Sequence, residues 1–389
     1  MALRIARTAA AAVRRGHPWV FREGVLQPRG GLALASGAAV ELLDEEGEIL
    51  GRGLWDAGSP IAVRVFERTR GPALDAAALG AIVRRAVERR DGRFDEGTTA
   101  YRLCNGEGDR APGMVIDRYG EVAVLRLDTD AWAPHLAGVV RALARPLHER
   151  GVHAIGLRAS FEGKKLEPLA GPPPPDRVVV REHGVAMEVD LAHGQKTGAF
   201  LDQRENRARV RALAHGRRRA LNLFSYTGGF SVAAALGGAG RVTSVDIASA
   251  AHASAQRSFR ANGLDPGAHA FVTGDAFAFL EQARARGDRF DLVISDPPSF
   301  APSERAKSRA LVAYRRLHAA AAGVLDAGGV LCAASCSSHV TAEDFVATLD
   351  DAALGRGDLR LLDLFGQPDD HPSLPAWPEG RYLKMAVLG

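Results

Sequence analysis

Cysteine is scarce in this sequence, with three residues in 389. Three cysteines cannot build a disulfide framework, so a reducing, cytoplasmic setting is expected. No run of about 18 uncharged apolar residues occurs, and no membrane span is expected. The 12 histidines show no metal-ligand spacing, so no metal is expected. No segment repeats. The G-x-G-x-x-G fingerprint is missing, which disfavours a nicotinamide oxidoreductase. Charge of one sign is also lacking overall, since 50 basic residues nearly balance 46 acidic ones.

The distribution of charge says more than its sum. Residues 1–30 carry Arg4, Arg7, Arg14, Arg15, Arg22 and Arg29 against one acid, Glu23. Such a stretch reads either as a contact face for nucleic acid or as a transit peptide. His17-Pro-Trp-Val-Phe21 looks like packed structure, and no small-residue cleavage site follows an apolar core. A folded domain is therefore favoured.

Three segments follow from periodicity. Residues 1–70 alternate short strand-like pieces (Ala39–Leu43, Ile49–Leu54, Ile61–Phe66) with glycine turns, a pattern that suggests a small β-barrel. Residues 71–180 read as a small α+β domain. Leu79, Ile82, Val83 and Ala86 stand at helical spacing, strands are expected at 113–116, 121–127 and 154–158, and a helix at about 133–149. Pro172–Pro175 reads as a stiff connector. From 181 to 389 strands and helices alternate, with strands expected at 220–224, 241–246, 270–273, 290–295, 329–335, 359–365 and 382–388. The fold class is therefore α/β at the C-terminus, a parallel sheet with helices on both faces. Ligands of such sheets sit at the carboxyl ends of the strands.

The unusual residues lie at those ends. The first strand runs into Asn222-Leu-Phe-Ser-Tyr-Thr-Gly-Gly-Phe-Ser231, whose glycines let backbone approach a ligand. Asp246 ends the second strand, where a carboxylate either accepts ribose hydroxyls or caps a helix. Asp275 follows the third and either accepts from an adenine amine or caps the next helix. The fourth strand ends in Asp296-Pro-Pro-Ser-Phe300, where two prolines force the chain out of the sheet and Phe300 is placed to stack on a planar ring. A glycine loop and two acids on successive strands point to a bound adenosine.

These pieces resemble the class I S-adenosylmethionine-dependent methyltransferases, and the whole chain resembles the RlmI-like family of large-subunit (23S) ribosomal RNA cytosine-C5 methyltransferases. The likeness is carried by Gln195-Lys-Thr-Gly-Ala-Phe-Leu-Asp-Gln-Arg204, the 222–231 loop, Asp296–Phe300 and Ser335-Cys-Ser337. Weaker pieces are His17–Val20, Asn105–Asp109 with Pro112-Gly113, Asp370-His-Pro372 and Arg381-Tyr-Leu-Lys384. The resemblance implies an N-terminal PUA-like RNA-binding barrel, an α+β middle domain and a Rossmann-like methyltransferase sheet in the order 3-2-1-4-5-7-6. It implies S-adenosylmethionine as cofactor, held by Phe200, Gln203, Arg204, Asn222, Phe224, Tyr226, Thr227, Gly228, Asp246, Asp275, Ala276 and Asp296. Substrate contacts are expected from Pro297, Pro298, Phe300 and Lys196. The partner implied is ribosomal RNA, naked or partly assembled, with a homodimer as an open alternative. One departure is the segment 158–175, which lacks the family's arginine motif and has gained Pro172–Pro175.

The resemblance also gives Cys336 a task. Cytosine C5 is a poor nucleophile, and a thiolate adding to C6 creates an enamine whose C5 can attack a sulfonium methyl. Cys336 follows strand five, beside the Asp296 loop of strand four. Cys332 is expected in the core and Cys104 as a structural cysteine. Arg204 and Arg207, with Lys196, are expected as a basic rim or a solvated helix face, and His339 is a candidate proton acceptor. Rival readings are an RNA N-methyltransferase on the same fold and a non-catalytic ribosome-assembly factor.

Overall fold

The computed structural model describes residues 1–26, 33–68, 71, 74–158 and 166–389. Arg29 and residues 159–165 of the altered segment lie outside the described residues. The chain forms two compact units. The first comprises Met1–Val180, Val189–Leu201 and Asp369–Gly380, and the second Arg181–Glu188, Asp202–Pro368 and Arg381–Gly389.

In the first unit, β1 (Ala2–Arg4), β2 (Trp19–Phe21), β3 (Ala39–Leu43), β4 (Ile49–Trp55) and β5 (Ile61–Glu67) form a sheet in the order β1-β3-β4-β5-β2. Between β1 and β2 lies a helix that the strand-centred reading of 1–70 did not contain, α1 (Arg7–Arg15). Four consecutive alanines favour it. Gly16, at φ 104°, ends it by donating to the Ala12 and Val13 carbonyls.

A second sheet follows. It is built from β6 (Ala100–Asn105), β7 (Met114–Tyr119), β8 (Val122–Leu127), β9 (Ala154–Arg158) and β10 (Glu167–Ala170), in the order β10-β9-β8-β7-β6. Helices α2 (Ala76–Glu88) and α3 (Leu136–His148) belong with it. The expected apolar stripe of α2 is buried, and Asp75 caps it by accepting from the Ala78 N–H at 2.8 Å. Leu54 and Phe66, from the first sheet, share one apolar cluster with Leu103 and Ile116 of the second, with Leu79 of α2 and with Trp132. The Phe66 and Trp132 rings meet edge-on at 5.3 Å.

Beside that cluster lies a buried ionic network. Arg90 donates to both oxygens of Asp109 at 2.7 Å and to the Asp370 carbonyl at 2.6 Å. Arg102 grips Asp117 at 2.8 and 3.0 Å, and its N–H donates to Asp370 Oδ2 at 2.8 Å. Thr197 donates to Asp117 at 2.5 Å. Burial opposes ionisation of Asp117, yet Arg102 and Thr197 hold its carboxyl below the usual range.

A paired hairpin, β11 (Arg177–Glu182) and β12 (Val185–Asp190), precedes the main sheet of the second unit. That sheet contains β13 (Arg219–Leu223), β14 (Arg241–Asp246), β15 (Ala270–Thr273), β16 (Phe290–Ser295), β17 (Leu325–Ser335), β18 (Leu361–Phe365) and β19 (Lys384–Leu388). Its order, β15-β14-β13-β16-β17-β19-β18, is the expected 3-2-1-4-5-7-6. The strands are parallel except β19, which runs antiparallel to β17 and β18. The helices of this unit are α4 (Arg204–Leu213), α5 (Gly229–Leu236), α6 (Ser249–Ala261), α7 (Ala276–Ala285), α8 (Lys307–Gly323), α9 (Ala342–Ala347) and α10 (Asp350–Arg356). Among the described residues no helix is long and apolar enough to cross a membrane.

The core of this sheet contains a histidine. His318 of α8 is fully buried against Tyr314 and Phe345, with Nδ1 3.1 Å from Thr348 Oγ1. Burial lowers its pKa from 6.5 to about 4. Between those two values the unfolded chain binds a proton that the folded protein does not. Stability should therefore fall as pH drops through this window, by on the order of 3 kcal/mol in full. Urea unfolding of wild type and His318→Phe at pH 7, 5.5 and 4.5 checks this. The variant should lose part of the pH slope, and an unchanged slope would assign the acid sensitivity elsewhere.

Candidate active site

The carboxyl ends of β13, β14 and β15 lie side by side. Leu223 pairs with Val245, and Asp246 with Thr273. The chain leaving β13 turns sharply, with Phe224 at φ 57°, Tyr226 at φ 46° and Gly228 at φ 78°. Aromatic residues in the left-handed region are uncommon and mark strain. At Gly228 a side chain would collide with Ala255, its Cβ lying 2.6 Å from that of Ala255. The loop is held by Asp246, whose two oxygens accept from the N–H groups of Tyr226 at 2.7 Å and Ala248 at 2.8 Å.

Asp246 is half-buried and therefore orders the loop, and it does not serve as the side-chain cap of α6. Asp275 is exposed and does cap α7, accepting from the Ala278 N–H at 2.9 Å through Oδ1. Its neighbour Ala276 is buried. Asn222 is fully buried and donates to Ser231 Oγ at 2.9 Å, but its Oδ1 has no partner among the described residues. Ser225 Oγ and Ser295 Oγ are likewise buried and unpartnered. Three polar atoms with unspent bonding capacity thus lie where β13 and β16 end. Thr227 is half-buried, and Ile247, directly after Asp246, is 77% exposed. Sequence reading passed over Ile247, although an apolar residue beside the strand-end acid was visible.

The second cluster lies at the ends of β16 and β17. Ser295 pairs with Ala333, which sets the Asp296 turn beside the Cys336 turn. A hydrogen bond between Ser299 Oγ and Ser337 Oγ, at 3.0 Å, ties the two turns. Asp296 is half-buried, Pro297 is buried and Pro298 exposed. Phe300 packs on Tyr314, ring centroids 4.8 Å apart, so its ring has a protein partner already. Tyr314 in turn reaches Ser335 Oγ at 2.9 Å and Ser337 Oγ at 3.1 Å.

Cys336 is partly exposed, whereas Cys332 and Cys104 are fully buried. Burial pushes the Cys332 thiol up to about 12 and raises that of Cys104 further. Neither supplies a thiolate near neutral pH.

A residue that sequence reading did not connect with the site stands beside Cys336. Lys384, the first residue of β19, pairs with Ser335 and is only 4% exposed. Its Nζ donates to the carbonyls of Ser337 at 2.7 Å and Val340 at 2.6 Å. Burial lowers its pKa to about 8, against the opposing pull of the Cys336 and Asp344 charges. The available signal was a lone lysine opening the apolar run Lys384-Met-Ala-Val-Leu388. His339 faces elsewhere, with Nδ1 3.3 Å from Glu304.

Other expected site residues are dispersed between the units. Lys196 and Phe200 belong to the first unit, where Nζ lies 4.5 Å over the Phe200 ring. Gln203 and Arg204 belong to the second and are buried, with Gln203 Oε1 accepting from Asn206 at 2.6 Å. Arg204 donates to Glu205 at 3.0 Å. Arg207 is buried and donates to both oxygens of Glu182, at 2.8 and 2.7 Å. The expectation of a basic rim or solvated face for Arg204 and Arg207 is therefore corrected: both guanidinium groups are inside and engage acids.

The description of S-adenosylmethionine-dependent methyltransferases matches residues 150–379, and that of a PUA-like domain matches residues 3–68. A ribosomal RNA large subunit methyltransferase of Deinococcus radiodurans is 40% identical over 99% of this chain and 96% of its own length. Ribosomal RNA large subunit methyltransferase I of Klebsiella pneumoniae is 35% identical over 98% of this chain and 96% of its own. A methyltransferase solved in complex with S-adenosylhomocysteine is 27% identical, covers 100% of this chain and 99% of its own, and superposes with a TM-score of 0.86.

Proposed function

Because this chain belongs to the S-adenosylmethionine-dependent methyltransferases of the large-subunit ribosomal RNA methyltransferase I type, we propose that it forms 5-methylcytosine in 23S ribosomal RNA with Cys336 as nucleophile. The carrying observation is a single partly exposed thiol where β17 ends, beside the Asp296 turn and a buried lysine. An N-methyltransferase would leave that thiol and lysine without a task.

S-adenosylmethionine is the cofactor, and when bound it supplies an electrophilic methyl group. The residues present fit it. Asp246 and Asp275 retain lone pairs for ribose and adenine, since each carboxylate offers about four acceptor sites. Ile247 offers apolar cover for a flat base. Asn222 Oδ1 and the hydroxyls of Ser225 and Ser295 have capacity left for polar groups.

The Lys384 ammonium, held by the Ser337 and Val340 carbonyls, favours the thiolate form of Cys336, whose proton leaves to solvent. The thiolate then donates an electron pair to C6, and the C5–C6 π pair becomes available at C5. C5 takes the methyl group. A base then takes the C5 proton, whose electron pair restores the C5–C6 double bond and expels Cys336 as the thiolate. Asp296 faces the base, as a carboxylate accepting from the exocyclic amine or as a neutral acid donating to N3. Pro297 and Pro298 hold that turn rigid.

Three measurements test this reading. Asp246→Ala should weaken S-adenosylmethionine binding by about 1.5–3 kcal/mol, the range for hydrogen bonds to a charged group. Asp246→Asn, which keeps one acceptor for the loop, should lose less. Unchanged calorimetric affinity in both folded variants would exclude the role. Cys336→Ala should bind cofactor and RNA but transfer no methyl group. RNA with 5-fluorocytosine at the target should trap an adduct on Cys336, since fluorine cannot leave as a proton does. An adduct on Cys104 or Cys332, or full activity in the alanine variant, would refute the mechanism. Lys384→Met should move the acid limb of kcat/KM, and the pH profile of Cys336 alkylation, upward by about one pH unit or more, because an apolar neighbour no longer favours the thiolate. A loss of rate with both profiles unmoved would make Lys384 a structural residue only.

A further inference from the structure

The arginines concentrated at the start of the sequence are largely committed. Arg14 pairs with Asp44, Arg7 lies 3.8 Å from Glu46, and Arg4 donates to the Glu45 carbonyl at 2.8 Å. Arg22 donates to the Ser59 carbonyl at 2.7 Å and lies over Trp55. Uncommitted arginines stand elsewhere in the first unit, around a cavity of about 410 Å³.

The end of β5 contributes Phe66, Glu67 and Arg68 to this cavity. Helix α2 and its cap contribute Ile82, Arg85 and Arg89, and the turn that follows β6 contributes Asp109 and Arg110. Both acids are already neutralised. Glu67 pairs with Arg52, which does not line the cavity. Asp109 takes Arg90 at 2.7 Å and Arg89 at 3.2 Å. Arg68 donates to the Arg14 carbonyl at 3.2 Å. Arg85 and Arg110 have no side-chain hydrogen bond or ion pair among the described residues. Burial, Arg68 and Arg89 together lower the pKa of Arg110, as expected of cations crowded without an anion. Arg110 also holds φ 64°, a left-handed conformation in which glycine or asparagine is more usual.

We propose that this cavity is a phosphate site, in which Arg85 and Arg110, assisted by Arg68 and Arg89, hold a backbone phosphate of the RNA. Planar guanidinium forks match phosphate oxygens in pairs. A volume of about 410 Å³ exceeds what one phosphate needs and lies within the range of about 300–1,000 Å³ for organic ligands. A nucleotide unit of a chain therefore suits it better than a free ion. The site deepens the functional reading above and rests on RNA being the substrate.

Point variants are the proper test, because Phe66 belongs to a shared core and deletion of residues 1–70 would open it. Binding of a large-subunit ribosomal RNA fragment is measured between 50 and 200 mM salt. Arg85→Glu, and separately Arg110→Asn, should flatten the slope of log K against log salt by about 1. Cofactor affinity should stay unchanged. Arg84→Glu is the control. It sits on the same helix, lies 3.4 Å from Glu88 and does not line the cavity, so its slope should change less. Inorganic phosphate at constant ionic strength should compete with RNA for wild type and not for Arg85→Glu. Equal flattening by Arg84→Glu would reduce the effect to a general field and overturn the site. Phosphate binding that depends on Arg85 while the RNA slope does not would overturn the RNA assignment in favour of a free anion. Unchanged slopes in a wild-type background that binds RNA sink this inference alone. A wild type that binds no RNA sinks the functional reading with it.

Discussion

One antiparallel strand organises the chemistry of the second unit. In a parallel sheet every strand delivers its carboxyl end to the same edge, so that edge collects whatever follows each strand. Asn222, Asp246, Asp275, Asp296 and Cys336 arrive there in this way. A residue at the start of a parallel strand would lie at the opposite edge, some five residues or about 16 Å away. β19 runs the other way, and Ser335, the last residue of β17, pairs with Lys384, the first of β19. Reversal of one strand is thus what puts an amine beside the thiol. Its charge is then supported by the carbonyls of the very turn that carries Cys336, at Ser337 and Val340. The turn and the amine specify one another: without the lysine those carbonyls lose their donor, and without the turn a buried ammonium loses its solvation.

The first unit depends on a different arrangement, in which charge is used for construction. Arg90 and Arg102 satisfy Asp109, Asp117 and the distant Asp370, and Asn105 donates to the Pro372 carbonyl. At Gly108 a Cβ would lie 1.8 Å from the Pro372 carbonyl, which explains a glycine there. The family-like stretches 105–109 and 370–372 therefore serve assembly. Buried pairs of this kind are costly to break and contribute less to net stability than their number suggests. What they secure is register between distant segments. They also neutralise Asp109 in the lining of the cavity at Arg85 and Arg110, which leaves that cavity cationic.

The α/β sheet was legible because its strands are short apolar runs separated by helices and punctuated by glycine, and its order followed from the resemblance. β14, β15 and β16 have the expected bounds. The sheets of the first unit were less legible. β6 and β10 are missing from the sequence reading because Arg102 and Pro168 interrupt any alternation, and in β6 all six residues are buried, arginine included. A buried arginine is indistinguishable from a surface one until its carboxylate is located. The same blindness governs the site. Arg204 and Arg207 looked exposed and are inside, whereas Lys384 looked like the end of a motif and pairs with Ser335, next to Cys336. Periodicity reports burial of apolar residues only, and paired charges escape it.

The two roles weighed for the strand-end acids are compatible in physical terms. A carboxylate has about four lone-pair directions, and a backbone N–H uses one. Asp246 gives one oxygen to Tyr226 and the other to Ala248, which fixes the plane of the carboxylate and leaves acceptor capacity on each oxygen. Asp275 gives only Oδ1 to the helix. Bonds to the loop therefore aim the acids, so little rotamer freedom remains to be lost when a ligand arrives. Strain at Phe224 and Tyr226 persists because the bond from the Tyr226 N–H to Asp246 holds the loop in shape. This edge of the sheet is thus assembled by interactions within the protein, with Asp246 bonded to both the strained loop and the start of α6.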